Sequence, residues 1–189
     1  MDNIRTQTAY DEATHQFAGQ EEGMLDPARI QAVYDGRSHR IVGRLMKDVD
    51  LFGGIKEICN HFNIEAAHFQ CFGSLKYATF VQMERGDVEG AVRYSEKIKS
   101  DSAVELLSGT GFVGCGEDGK LDVHFHGMMI DCDRQINGGH FLANENPVAV
   151  TVEYIIFPLD GVEMQRGKDP HWGLPVFQFT KGVKSKWKL

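Results

Sequence analysis

Cysteine is sparse and unpatterned in this chain: Cys59, Cys71, Cys115 and Cys132 stand far apart, with no Cys-x-x-Cys pair among them. That excludes a zinc knuckle built on thiolates. With no secretory signal in view, it points to a reducing compartment and free thiols. Long apolar runs are missing too. No stretch of 18 or more apolar residues is available to span a bilayer, and the N-terminus lacks an apolar signal segment, so a cytoplasmic location with no membrane role is expected. Positive charge is also short. Lys and Arg number 20 against 27 Asp and Glu, a net charge of −7. Four of those cations (Lys181, Lys184, Lys186 and Lys188) crowd a C-terminal tail that holds no acid, so the rest of the chain is more acidic than the net figure suggests. This balance argues against broad affinity for nucleic-acid phosphates, which rests on clustered Lys and Arg. If DNA is bound, the tail is the expected contact; a solvated charged terminus is the alternative. Repeats and low-complexity tracts are absent as well.

What remains is an ordinary globular composition: 189 residues, 42% of them hydrophobic, enough for one domain with a proper core. Residues 1–36 are polar, weakly patterned and broken at Glu21-Glu22-Gly23 and Asp35-Gly36, which reads as an N-terminal extension. From His39 to Met46 the pattern is that of a strand. Asp48 or Asp50 can then cap a helix running to about Phe62, with Leu51, Ile55, Ile58, Cys59 and Phe62 as its apolar stripe. Beyond it the punctuation is of β type: Ile64–Phe72, Leu75–Met83, Val104–Leu107, Thr110–Val113 and, strongest, Val148–Phe157, with a hairpin signal at Gly116-Glu-Asp-Gly119. Val148–Phe157 is largely apolar on both faces, which predicts cover from two sides, by the helix and by another subunit. The expected fold class is α+β: a single domain spanning 37–160, an antiparallel sheet with one main helix packed on it. Residues 161–189 form a C-terminal segment of unclear alternation, including His171-Trp-Gly-Leu-Pro175 and the Lys-rich tail.

The chemistry concentrates in Leu121-Asp-Val-His-Phe-His-Gly-Met-Met-Ile130 and Asn137-Gly-Gly-His140. His124 and His126 are two apart, so on a strand they share a face. A two-residue turn at Asp133-Arg134 would pair Ile130 with Asn137 and Met129 with Gly138. An extra bulge residue at Gly139 would then bring His140 opposite Met128, on the face of His126. Three histidines with open positions describe a catalytic zinc-type site rather than a closed structural one. The alternative is three hydrogen-bonded structural histidines. Cys132 stands in the same hairpin and would alter the ligand set if it reached the ion. His61, His68 and His171 carry no such pattern and read as packed or hydrogen-bonded side chains.

Several of these pieces together resemble a known family, the plant and prokaryote conserved (PPC) domain. They are Arg44-Leu45 before the helix, Gly73-Ser74-Leu75, Val104-Glu-Leu-Leu-Ser-Gly109, the His124-Phe-His126 pair and Gly138-Gly-His140-Phe-Leu142, spread over Ile41 to Phe157. The resemblance implies an α+β domain that assembles as a homotrimer. In plants such domains sit beside AT-hooks and act as DNA-binding regulators; this chain has no Arg-Gly-Arg-Pro, so that element is missing. The fold is also similar to that of acetolactate decarboxylase, a zinc enzyme with a His-x-His and a later His as ligands, a pattern that maps onto His124, His126 and His140.

Two functions follow as expectations. One is a metal-dependent lyase or hydrolase acting on a small oxygenated molecule, with a divalent ion, zinc by preference, polarising a carbonyl or activating water. It needs a carboxylate for proton transfer. Glu105 and Glu153 are the candidates, since an acid inside an apolar strand calls for a partner; each is alternatively half of a buried ion pair with Arg44. Arg44 could instead hold a substrate carboxylate through its planar fork. The other is a DNA-binding or transcription-associated regulatory module, for which a basic groove from Arg85, Arg93, Lys97 and Lys99 would be the mark, as against an exposed loop.

Overall fold

Alternating apolar residues dominate the chain from Ile30 onward, and strands follow from them. The computed structural model describes residues 25–89, 91–170 and 173–182. The strands are β1 (Ile30–Asp35), β2 (Arg40–Met46), β3 (Ala67–Leu75), β4 (Thr79–Val81), β5 (Met83–Arg85), β6 (Val92–Tyr94), β7 (Ile98–Lys99), β8 (Val104–Cys115), β9 (Leu121–Asp131), β10 (Ile136–Phe141), β11 (Val148–Pro158), β12 (Val162–Lys168) and β13 (Pro175–Lys181). The main sheet runs β1-β2-β11-β3-β8-β9-β10-β4-β7, antiparallel throughout. The β12–β13 hairpin joins it through one parallel pairing of Gln165 with Cys115, and β5–β6 forms a separate two-stranded ribbon.

The α+β expectation is corrected here. Strands make up 57% of the described residues and helix 7%, so the chain is a β-rich single domain rather than a sheet with a main helix as its second layer. The only α-helix among the described residues, α1 (Leu51–His61), is 11 residues long. The misjudgement came from the two ends. Val162-Glu-Met-Gln-Arg-Gly-Lys168 puts charged or polar residues on both faces, so its alternation is hidden, yet it pairs residue by residue with β13. Likewise Ile30–Asp35, inside the stretch that reads as an extension, pairs with β2 and buries Ile30. Residues 1–24, His171-Trp172 and Lys184, Lys186 and Lys188 lie outside the described residues.

The helix forms where the sequence asks for it. Asp50 is its N-cap, accepting a 2.9 Å bond from the Gly53 N–H, one of the donors a helix start leaves free. Leu51, Phe52, Ile55, Ile58 and Cys59 are buried, and they join Phe69, Phe125, Val152 and Ile156 in one core. Burial pushes the Cys59 thiol up to about 12, so it is a packed, inert side chain. Asp50 also ties the helix to the loop before β11: its second oxygen takes the Asn146 N–H at 3.0 Å, while the buried Asn146 accepts from the Thr79 N–H at 2.9 Å. Val148–Phe157 lies inside the sheet, and its cover is mainly on one face: Val148, Val152, Tyr154 and Ile156 are buried, Val150 between them is exposed, and Thr151, Glu153, Ile155 and Phe157 are partly open.

Asp50→Ala removes a cap and the Asn146 bond together. It should lower stability by about 2 kcal/mol, read as a reduced urea midpoint with an unchanged slope; a loss below about 0.5 kcal/mol would mean that Asp50 holds neither.

Candidate metal centre

Packing on the inner face of the sheet fixes what faces outward. Gly109 in β8 and Gly127 in β9 are directly paired, and the Phe125 ring lies against Gly109: a Cβ there would come within 2.1 Å of the ring. Phe69 stacks on the same ring at 5.5 Å, while Phe52 and Phe141 meet it edge-on. With Val123, Phe125 and Met129 turned into the core, period-two alternation turns His124 and His126 to the other side.

His140 reaches that side by a register other than the expected one. The β9–β10 loop is three residues, Cys132–Arg134: the Arg134 N–H donates to the Asp131 carbonyl at 3.1 Å and Arg134 adopts φ 63°, the left-handed residue that closes such a loop. Asn137 therefore pairs with Met129, Gly138 with Met128, Gly139 with Gly127 and His140 directly with His126, without a bulge at Gly139. The glycines answer to crowding instead. A Cβ on Gly138 would lie 2.3 Å from the Gly127 carbonyl oxygen, and one on Gly139 would lie 2.4 Å from that of Val81. Gln82 clamps the strand from outside, its Nε2 donating to Asn137 Oδ1 (2.9 Å) and the Gly138 carbonyl (2.7 Å).

The three rings converge. His124 Nε2 lies 3.1 Å from His126 Nε2, which lies 3.4 Å from His140 Nδ1, and one nitrogen from each ring falls within 4.8 Å of the others. Around a tetrahedral divalent ion with metal–nitrogen bonds of about 2.0–2.1 Å, ligand nitrogens sit about 3.3–3.4 Å apart. The donor set therefore fits such an ion, and the described residues contain no other group of this kind. Electrostatics agree. Burial holds His124 and His126 below the usual histidine range, and burial, aided by His124 and His126, pushes His140 down to about 4. All three are thus neutral near pH 7, the state in which imidazole binds a metal.

The proposed acids are elsewhere. Glu105 is exposed and paired with Ile130, four positions along β9 from His126, about 13 Å at strand rise. Glu153 lies on β11, with β3 and β8 between it and the histidine strand, about 14 Å away. It accepts a 3.0 Å bond from Thr151 Oγ1 and sits directly across from Arg44. Arg44 is one strand farther, its buried Nε without a hydrogen-bond partner. The structure thus brings the three histidines together and leaves Glu105, Glu153 and Arg44 apart from them. Cys132 is exposed at the loop, its Sγ 3.5 Å from the Ala103 carbonyl. His68 bonds Thr110 Oγ1 at 2.8 Å between Phe112 and Phe157, as a packed histidine does.

Two neighbours escaped the sequence reading. Asp122, two residues before His124 and on its face, pairs with Arg166 of β12 (2.5 Å). Its i−2 spacing was the available clue, whereas Arg166 had none, coming from a segment that reads as irregular. On the far side the Tyr94 ring of β6 lies 5.9 Å from that of His140. The expected basic groove is largely neutralised: Arg93 pairs with Glu84 (3.0 Å), Lys97 pairs with Glu145 (3.0 Å), and Lys99 sits 3.7 Å over the Tyr77 ring.

A β-rich domain with a three-histidine cluster on its outer sheet face is the class defined so far, and comparison with known proteins narrows it. Residues 33–160 match the Plants and Prokaryotes Conserved (PCC) domain, and the chain belongs to that family. Among solved structures it is similar to a metal-containing protein from Archaeoglobus fulgidus (22% identity, 82% of this chain and 99% of that one, TM-score 0.62). It is similar to a plant- and prokaryote-conserved protein from Pyrococcus horikoshii (22%, 84% and 99%, 0.62) and to a candidate DNA-binding protein from Ralstonia eutropha (21%, 78% and 94%, 0.64). At these identities the likeness is one of fold. No curated protein matches the sequence.

The histidine pKa values set a pH dependence for the metal-free protein. Unfolded histidines take up protons near pH 6.5, while the folded His140 resists until about pH 4. Between these limits the unfolded chain binds more protons, so stability falls as pH falls. Melting temperatures from pH 7 to pH 4.5 should drop, and drop less in His140→Ala; equal slopes would contradict this burial effect.

Proposed function

We propose that this PCC-domain protein binds one divalent metal ion per chain, zinc by preference, through His124, His126 and His140, and uses it as a lyase or hydrolase on a small oxygenated molecule. The observation that carries the reading is the convergence of three neutral ring nitrogens, 3.1 and 3.4 Å apart in succession, on an open sheet face. Three protein ligands and a free position are the arrangement of catalytic rather than structural zinc. An ion so held would supply Lewis acidity, polarising a carbonyl or bringing the pKa of bound water to about 7. The chain's own part is to hold the imidazoles neutral and aimed together. The Archaeoglobus fulgidus relative is described as metal-containing, and the ligand pattern resembles that of acetolactate decarboxylase; both support the reading.

The alternative, a DNA-binding regulatory module, draws on the description of the Ralstonia eutropha relative. The acidic balance and the internal pairing of Arg93 and Lys97 weigh against it. No helix among the described residues is long and apolar enough to cross a membrane, and four free thiols suit a reducing, cytoplasmic setting.

A homotrimer belongs to the same proposal. Phe72 is 57% exposed and Leu107 is 42% exposed, and with Ile155 they line one depression on the outer face, where Glu153 also lies. Apolar surface of this kind is normally covered.

Untagged protein should carry about one metal per chain by elemental analysis, and His124→Ala/His126→Ala should carry none. Absence of metal in both, after reconstitution with Zn²⁺, Mn²⁺ or Ni²⁺, would overturn the metal reading. Light scattering should return three times the 21.2 kDa chain mass, falling to one chain mass in Phe72→Glu; a monomeric parent protein would dismiss the trimer.

A further inference from the structure

Three neutral imidazoles bring no negative charge to an ion, so its two positive charges call for an anion in the open position. The structure holds a second anion-directed group beside them. Asp122 has both carboxylate oxygens engaged: Oδ1 accepts the Val123 N–H at 2.8 Å and Oδ2 meets Arg166 Nε at 2.5 Å. It is turned toward the arginine and spent on holding it. Arg166 in turn lies 4.5 Å over the Phe177 ring, donates from Nη1 to the Pro175 carbonyl at 3.0 Å, and is only 13% exposed. Its Nη2 has no hydrogen bond to any described residue. Asp122, Pro175 and Phe177 thus hold the guanidinium next to the cluster: Asp122 stands one strand step from His124 on the same face, and after burial and the neighbouring imidazoles the arginine's charge also bears on His124 and His140.

The ribbon that carries it is tied down at this spot. Gly114, opposite Asp122 in β8, leaves room for Met164 and Phe177: a Cβ there would meet each at 2.8 Å. Phe179 packs on Phe112, the residue opposite His124. The β12–β13 hairpin thus walls one side of the histidine cluster, and the Tyr94 ribbon stands at the other.

Resting on the metal reading above, we infer that the site takes small carboxylates, one oxygen bound at the metal position and the anionic group steered by Arg166, with Asp122 as the residue that positions the arginine. A planar guanidinium suits a carboxylate in a way that a lysine ammonium does not. Ligands of the same size without charge gain nothing from Arg166, so it sets specificity rather than metal affinity.

The test is cobalt(II)-loaded protein, whose visible bands change when a ligand joins the ion, titrated with acetate and separately with neutral imidazole. In Arg166→Gln the acetate dissociation constant should rise about tenfold or more, the usual weight of a hydrogen bond to a charged group, with imidazole affinity unchanged. Equal acetate affinity in both proteins, or no acetate binding by the parent protein, overturns the inference and leaves the metal centre standing. Failure of the parent protein to take up cobalt overturns the metal reading itself. If the Gln variant does not fold, Arg166→Lys carries the same comparison, with acetate weakened about threefold or more and imidazole unmoved; unchanged acetate affinity there is equally contrary.

Discussion

The site depends on which residue of β10 stands across from His126. Side chains alternate across a sheet, so a slip of one residue between β9 and β10 would send His140 to the core side and Phe141 to the surface. Three things prevent it. The Arg134 turn sets the loop at three residues. Gly138 and Gly139 allow backbones to approach where any Cβ would collide with a carbonyl. Phe141 is anchored inside against Phe80 and Phe125. The three histidines are placed by residues that carry no metal-binding group of their own.

The two faces of the sheet divide the labour. Inside, paired glycines and aromatic rings fix β9 against β8 and β3. Outside, His124, His126, His140 and Asp122 gather on β9 and β10, while Phe72, Leu107 and Ile155 form an apolar patch over β3, β8 and β11. This segregation sets the histidine cluster apart from that apolar patch within one sheet. It also explains why Arg44 and Glu153, plausible catalytic groups on sequence grounds, stand with the second region: they are cross-strand neighbours three and four strands from His126.

The histidine triad was legible because its signal is local: a His-x-His pair on a strand, and a third histidine a hairpin away. The helix was legible for the same reason, from Asp50 and an apolar stripe. The register was not, because a Gly-Gly pair reads equally as a bulge or as room for a close backbone, and only the neighbouring carbonyls decide. The balance of strand to helix was misjudged where both faces of a strand are polar, as in β12. Arg166 could not be found at all: it reaches Asp122 from more than forty residues away, through a pairing that leaves no mark in composition or spacing.

X-ray absorption at the metal edge of the loaded protein tests the metal centre most directly. Three imidazole nitrogens at about 2.0–2.1 Å with an oxygen neighbour, falling to two imidazoles in His140→Ala, is the predicted result. A sulfur shell near 2.3 Å, or an imidazole count that His140→Ala leaves unchanged, would contradict the three-histidine site.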